Sequence, residues 1–237
     1  MKYPKLQTLF KRDEKRNMVI MPDHISKPEF SLIKYWEVTE KIDGTNIRVN
    51  FELQDATTGY KIEFGGRTDK AIIPTYLLES LEKTFTVQNM HKAFVKLDGE
   101  EPKLPRKVIL FGEGFGPKIQ SVGKNYSKDH SFVLFDVWID GWWLEQDSVA
   151  DIAKRLGIKS VPSFGIMSTD EIIEFVKRQR KSLFAKEKDM IMEGVVVRSA
   201  PMVLFRDGKP VMWKLKCNDF NKLQKQLIKD ENSNHRE

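Results

Sequence analysis

Residues Asn46 to Leu53 alternate strictly, with Ile47, Val49, Phe51 and Leu53 on one face and Asn46, Arg48, Asn50 and Glu52 on the other. A period of two predicts a half-buried strand. Asp55 to Gly59 has turn chemistry, and Tyr60, Ile62 and Phe64 resume the alternation, so the pair reads as an antiparallel hairpin. At Thr75 to Phe85 the period changes, and Leu77, Leu78, Leu81 and Phe85 share one helical face. Asp98 to Arg106, with prolines and mixed charge, predicts a loop. Val108 to Phe111 predicts a short buried strand, and Gly114 to Lys128 a Gly/Lys/Ser-rich connection. Phe132 to Ile139 and Trp142 to Leu144, joined by Asp140-Gly141, predict a second hairpin. Asp147 to Leu156 predicts a helix closed by Gly157. Ser168 and Glu171 form a capping box for a helix running to about Phe184. Val195 to Val197 and Val203 to Phe205 predict strands, and Asp207-Gly208 turns the chain into another over Val211 to Leu215. Asn218 to about Ile228 predicts a last helix, followed by a polar tail. Hairpins with interspersed helices predict an α+β fold built from antiparallel sheets with flanking helices.

Composition narrows the setting. The 237 residues are 40% hydrophobic and 31% charged, the balance of a soluble globular protein. The net charge of +6 suits a polyanionic partner. Cys217 is the only cysteine, which excludes an intrachain disulfide and a thiolate zinc cluster. Cys217 reads as a buried small side chain. His24, His91, His130 and His235 have no metal-ligand spacing. No apolar run is long enough to span a membrane, and the N-terminus lacks a signal core. An intracellular, cytoplasmic protein is expected. The cluster Lys177-Arg178-Gln179-Arg180-Lys181 reads as a solvated helix face before a contact to nucleic-acid phosphates, and Trp138, Trp142 and Trp143 as hairpin core before base-stacking residues.

The chemistry centres on Lys41-Ile42-Asp43-Gly44, which follows the stretch Trp36 to Glu40. An ordinary lysine amine is protonated near neutral pH. A nucleophilic one needs burial or neighbouring cations to shed its proton. Lys214 and Lys216, two apart on a predicted strand, share a face and can aim together at one phosphate. Glu193 precedes the strand that pairs with theirs. Neither the dinucleotide-binding glycine spacing nor a P-loop occurs around Gly112-Glu113-Gly114.

Five segments in order carry a resemblance: Glu40-Lys41-Ile42-Asp43-Gly44-Thr45-Asn46, Phe111-Gly112-Glu113-Gly114, Phe132 to Val137, Met192 to Val197, and Trp213-Lys214-Leu215-Lys216-Cys217. Together they resemble the motifs of the covalent nucleotidyltransferases. Glu40, Thr45-Asn46 and Gly66-Arg67-Thr68 are most similar to the RNA ligase 2-like family of ATP-dependent RNA ligases. The resemblance implies a nucleotidyltransferase (adenylylation) domain and a nucleophile, Lys41, that forms a lysyl-AMP. It implies that Glu113 anchors the ribose, Phe135 stacks on adenine, and Glu193 serves the metal, Mg2+ or Mn2+. Lys214 and Lys216 would contact the α-phosphate, with Glu40, Asn46 and Arg67 also at the nucleotide. ATP and a nicked RNA or RNA-containing duplex are the implied partners, and a monomer, one that a phage could encode, is expected. A DNA ligase, an end-adenylylating enzyme and an inactive nucleic-acid-binding relative stay open as alternatives. After Lys216 there is chain for one helix and a tail, so a single domain over 1–237 without a separate C-terminal domain is expected.

Overall fold

The computed structural model describes residues 1–16, 18–55, 59–94 and 105–234. In chain order these form β1 (Gln7–Thr8), β2 (Phe10–Asp13), β3 (Val19–Ile25), β4 (Tyr35–Lys41), β5 (Thr45–Asp55), β6 (Gly59–Gly66), α1 (Thr75–Thr84), α2 (Val87–Phe94), β7 (Lys107–Phe115), α3 (Gly123–Tyr126), β8 (Ser131–Ile139), β9 (Trp142–Trp143), α4 (Gln146–Arg155), β10 (Lys159–Ser160), β11 (Ser163–Ser168), α5 (Thr169–Lys177), β12 (Gly194–Ser199), β13 (Met212–Lys216) and α6 (Cys217–Asn234). The sheets are antiparallel except for two short parallel pairs, β1 with β13 and β10 with β8. The chain adopts the α+β class that the hairpins predict. Among the described residues no helix is long and apolar enough to cross a membrane.

Two compact units share the chain. One comprises Met1–Tyr3, Asp43–Val161 and Ala185–Glu187; the other comprises Pro4–Ile42, Pro162–Phe184 and Lys188–Glu237. The first is built on a sheet ordered β10-β8-β7-β5-β6, with β9 beside β8. Ile47, Val49 and Phe51 of β5 are buried as their alternation predicts, in a core with Leu77, Leu81 and Val149 from α1 and α4. Asp140 and Gly141 both take positive φ in the β8–β9 turn, as Asp-Gly hairpins require. The second unit is built on a sheet ordered β1-β13-β12-β4-β11, with a separate β2–β3 hairpin. Trp36, Val38, Val195, Val197, Trp213 and Leu215 from its three central strands form the heart of its core.

Several expectations are corrected. The helix after Ser168 keeps its capping box but stops at Lys177, not Phe184. Gln179 turns at positive φ, and the amides of Leu183 and Phe184 bond elsewhere than in a helix. Of the basic cluster only Lys177 is therefore helical. Val203 to Phe205 is no strand: a single bridge joins Leu204 to Pro210, and proline has no N–H to extend a ladder. The strand from Val108 runs on through the glycines to Phe115. Those glycines serve close packing, not a turn: a Cβ on Gly112 would lie 2.1 Å from the Phe132 ring. Trp142 is exposed at 75%, outside any core, whereas Trp143 stacks on Phe111 at 5.6 Å. Most of the Asp98–Arg106 loop lies outside the described residues.

Candidate active site

Strands β4, β12 and β13 lie side by side with β12 in the middle. Each sends alternate apolar residues into the core, so the intervening residues share the opposite face. The register sets Lys41 and Lys216 on either side of Gly194, and Thr39 and Lys214 on either side of Val196. Gly194 has φ +154°, and a Cβ there would lie 2.1 Å from the Leu215 carbonyl oxygen. Only glycine lets β12 begin so close to β13.

Glu193, just ahead of that glycine, joins the two lysines. The Lys41 Nζ donates to its Oε2 at 2.7 Å, and the Lys216 Nζ lies 2.6 Å from its Oε1. The Glu193 side chain is 14% exposed and that of Lys41 is 19% exposed. Lys214 completes the group. Burial, then repulsion from Lys41 and Lys216, holds its amine below the usual lysine range, and Glu193 opposes the shift. Three ammonium groups around one carboxylate leave a surplus of positive charge at a partly shielded sheet face. Such a surplus favours an anion at this face.

Glu40 is placed differently from its neighbour. One position along β4, it faces the core, away from Lys41, and is buried. Its carboxylate accepts from the Ser182 hydroxyl and from the backbone amides of Leu183 (2.9 Å) and Phe184 (3.2 Å). Burial raises its pKa above the carboxylate range, and those three donors oppose the rise. Glu40 thus ties segment 182–184 to the strand that carries Lys41. Glu40→Ala is expected to destabilise the fold by about 1–3 kcal/mol, because the buried Phe184 amide and the part-buried Leu183 amide lose their acceptor. The raised pKa adds a pH signature. The native state keeps a proton that the unfolded chain has lost, so this contribution is present at low pH and fades as pH rises through the raised pKa. Urea unfolding at about pH 5 and about pH 8 should show wild type losing stability relative to Glu40→Gln at the higher pH. A pH-independent difference between the two would contradict this.

The other expected residues lie in the first unit. Asn46 of β5 pairs with Glu113 of β7, and Arg67 comes one residue past the last β5–β6 pair, Ile47 with Gly66. The sheet therefore brings Glu113, Asn46 and Arg67 to one level. The Asn46 Oδ1 is buried without a hydrogen-bond partner, an acceptor open to a ligand donor. Arg67 is exposed. Phe135 is the extra residue of a bulge in β8, since Asp136 pairs with Phe111 and Leu134 with Gly112. A bulge re-aims a side chain; Phe135 is half-buried and meets the Tyr3 ring edge-on at 4.9 Å.

Three residues around these motifs escaped the sequence reading. Tyr3 packs on Phe111 and Phe135 and donates its hydroxyl hydrogen to Asp136. Tyr126, a buried hydroxyl, accepts from the Asp43 amide at 3.1 Å. Gln120, at positive φ, donates its side-chain amide to the Gly44 carbonyl at 3.1 Å. None stands in a periodic or motif context, so only the tertiary structure could point to them. Gly44 itself is required by packing: a Cβ would lie 2.3 Å from the Gly114 carbonyl oxygen and 2.8 Å from the Glu113 Cγ.

Among the described residues no group of three His, Cys, Asp or Glu side chains could hold a metal. Glu193, among three lysines, is a donor set that fits only a metal completed from outside. Magnesium suits that, since it commonly takes one or two carboxylates with phosphate oxygens and waters. Cys217 is buried, and burial pushes its thiol up to about 11, so it is a core residue and not a nucleophile.

The family model of RNA ligase matches residues 34–216, and the chain belongs to that family. Comparison with curated proteins gave no match. Among solved structures, RNA ligase of Naegleria gruberi with pyrophosphate aligns with TM-score 0.60 and 18% identity over 95% of this chain and 58% of that one. A variant of that ligase with ATP and manganese aligns with TM-score 0.61 and 17% identity over 93% and 57%. Another variant, with AMP and manganese, aligns with TM-score 0.56 and 18% identity over 92% and 58%. The chain thus spans a little over half the length of these relatives.

Proposed function

We propose that this chain is the nucleotidyl-transfer part of an ATP-dependent RNA ligase, with Lys41 as the nucleophile. The observation that carries the reading is the cluster of Lys41, Glu193, Lys216 and Lys214 on one sheet face, in a member of the RNA ligase family. The Lys41 nitrogen, once deprotonated, attacks the α-phosphorus of ATP. A nitrogen–phosphorus bond forms as the bond to the β,γ-pyrophosphate breaks, leaving AMP on the lysine. Lys214 and Lys216 face the developing charge, which preorganised cations stabilise strongly. A nucleotide phosphate entering this face competes with Glu193 for Lys41 and Lys216, loosening the pairs that hold the lysines in the resting protein. Mg2+ or Mn2+, held by Glu193 with phosphate oxygens and water, would neutralise phosphate charge.

The family resemblance assigns the remaining roles. Glu113 and Asn46 would hold the sugar, Phe135 the adenine, and Arg67 the nucleotide or the RNA end. The later steps move AMP to a 5′-phosphate of a nicked RNA and join it to a 3′-hydroxyl with release of AMP. We read the two units as one adenylylation domain that acts as a monomer in an intracellular, cysteine-reducing setting.

Intact mass spectrometry after incubation with ATP and magnesium tests the core of this reading. A gain of one AMP, mapped by peptide sequencing to Lys41, is the expected result. A chain that stays unmodified and releases no pyrophosphate would overturn it.

A further inference from the structure

A second positively charged feature lies in the same unit as Lys41. A groove of about 570 Å³ opens between the segment leading into β1, the tight turn after β3 and the loop before β13. It is lined in part by Phe30, a core residue, and by Met212, buried on the face of β13 that also carries Lys214 and Lys216. Four cations line it: Lys5, Lys27, Arg206 and Lys209. Glu29 and Asp207 are its acids, and Asp207 is paired with Lys209. Lys27 is held in place, its ammonium 4.5 Å from the centre of the Phe205 ring. The groove therefore carries a net positive charge, with one cation fixed in advance.

The position of the groove gives it meaning. Met212 in its lining begins β13, and Lys214 and Lys216 follow at two-residue steps on the same face. At about 3.3 Å per residue, those lysines lie about 7 and 13 Å farther along the strand. The basic groove and the lysine cluster thus meet the same face of one strand. A ligand that neutralises both regions carries negative charge along its length, as a sugar–phosphate backbone does.

We propose that this groove holds the sugar–phosphate backbone of an RNA strand leading to the lysine cluster. The inference rests on the ligase reading for the identity of the polyanion, and on the groove's own geometry for its place.

The test uses the full chain and a 5′-fluorescein single-stranded RNA in anisotropy titrations across a salt series. A triple variant, Lys5→Gln, Lys27→Gln and Arg206→Gln, should lose RNA affinity by at least ~10-fold. Its log–log salt slope should shrink by about 2, because each phosphate contact on a single strand contributes about 0.7. Formation of the AMP adduct with ATP alone should be unchanged, since none of the three residues belongs to the lysine cluster. A control variant with three exposed cations of α6 replaced, Lys222→Gln, Lys225→Gln and Lys229→Gln, should bind RNA as wild type does. If the triple variant folds poorly, the single change Arg206→Gln at an exposed side chain should still lower the slope by about 0.7. Wild-type affinity and slope in the groove variants would overturn the proposal. So would an equal loss in the α6 control, or a loss of the AMP adduct in step with RNA binding. No adduct on the wild-type chain, together with RNA binding that the groove variants lose, would sink the ligase reading and leave the groove standing.

Discussion

Lys41→Ala is expected to form no covalent AMP adduct, and Lys41→Arg to be equally inactive. Alanine removes the only nitrogen that the proposed reaction joins to phosphorus. Arginine keeps the charge and could still reach Glu193, but a guanidinium stays protonated and has no lone pair to offer. The pair of variants therefore separates nucleophile from ion pair. If Lys41 served only to neutralise Glu193, the arginine variant would retain activity. The local structure should survive both changes, because Glu193 keeps Lys216 at 2.6 Å and Lys41 is not part of the apolar core. The Glu193 charge stays compensated by Lys216, so the unfolding midpoint should move little. The measurement is radiolabel from α-labelled ATP retained on denatured protein. Label on Lys41→Ala would move the nucleophile to another residue, and activity in Lys41→Arg would reduce Lys41 to an electrostatic role.

Local patterns in the sequence account for a defined part of this structure. The β5–β6 hairpin, α1, the Asp-Gly turn of β8–β9, α4 and the capping box of α5 each depend on residues a few positions apart, and each is present. What distance along the chain hides is different in kind. The Phe135 bulge lies where β8 shifts register against Phe111 and Gly112 of another strand, a pairing that no local pattern in β8 announces. Segment 178–184 leaves the helical path where a buried carboxylate, Glu40, captures its amides from far away in sequence. The glycines of β7 look like a turn but are strand positions crowded by neighbouring strands. α2 is short, and its buried Met90, Ala93 and Phe94 give too little periodicity to stand out. In the candidate site, the shared face of Lys214 and Lys216 follows from their spacing. The clasp of Glu193 on Lys41 and Lys216 does not: it depends on the register that sets Lys41 and Lys216 on either side of Gly194. Glu40, next to Lys41 in sequence, is buried with its carboxylate on the amides of segment 182–184, since neighbours on a strand face opposite ways.

Lys214→Ala and Lys216→Ala should each slow adduct formation by at least ~100-fold, the scale of losing one preorganised donor to a developing oxyanion. Their pH behaviour should differ from that of a simple surface cation. The Lys214 amine sits below the usual lysine range because it is buried and because Lys41 and Lys216 repel it. Its charge, and the rate that depends on it, should therefore fade at an alkaline pH lower than an ordinary lysine would give. Lys214→Arg keeps its charge throughout and should carry the alkaline limb of the adduct-formation rate to higher pH, even if its rate at neutral pH is reduced. Stability should move the other way. With a folded pKa below the unfolded one, the unfolded chain binds more protons between the two values, so stability rises with pH through that window. Below the window, charged Lys214 costs the fold stability. Lys214→Met, which keeps the aliphatic stem, should then unfold no earlier than wild type at neutral pH while losing the reaction. This opposition is what a site tuned for phosphate chemistry produces, with function retained against local stability. Rate–pH profiles of wild type and Lys214→Arg, with urea midpoints for Lys214→Met, provide the check. Superimposable alkaline limbs, or a clearly destabilised Lys214→Met, would show that Lys214 is a structural cation and not part of the phosphate site.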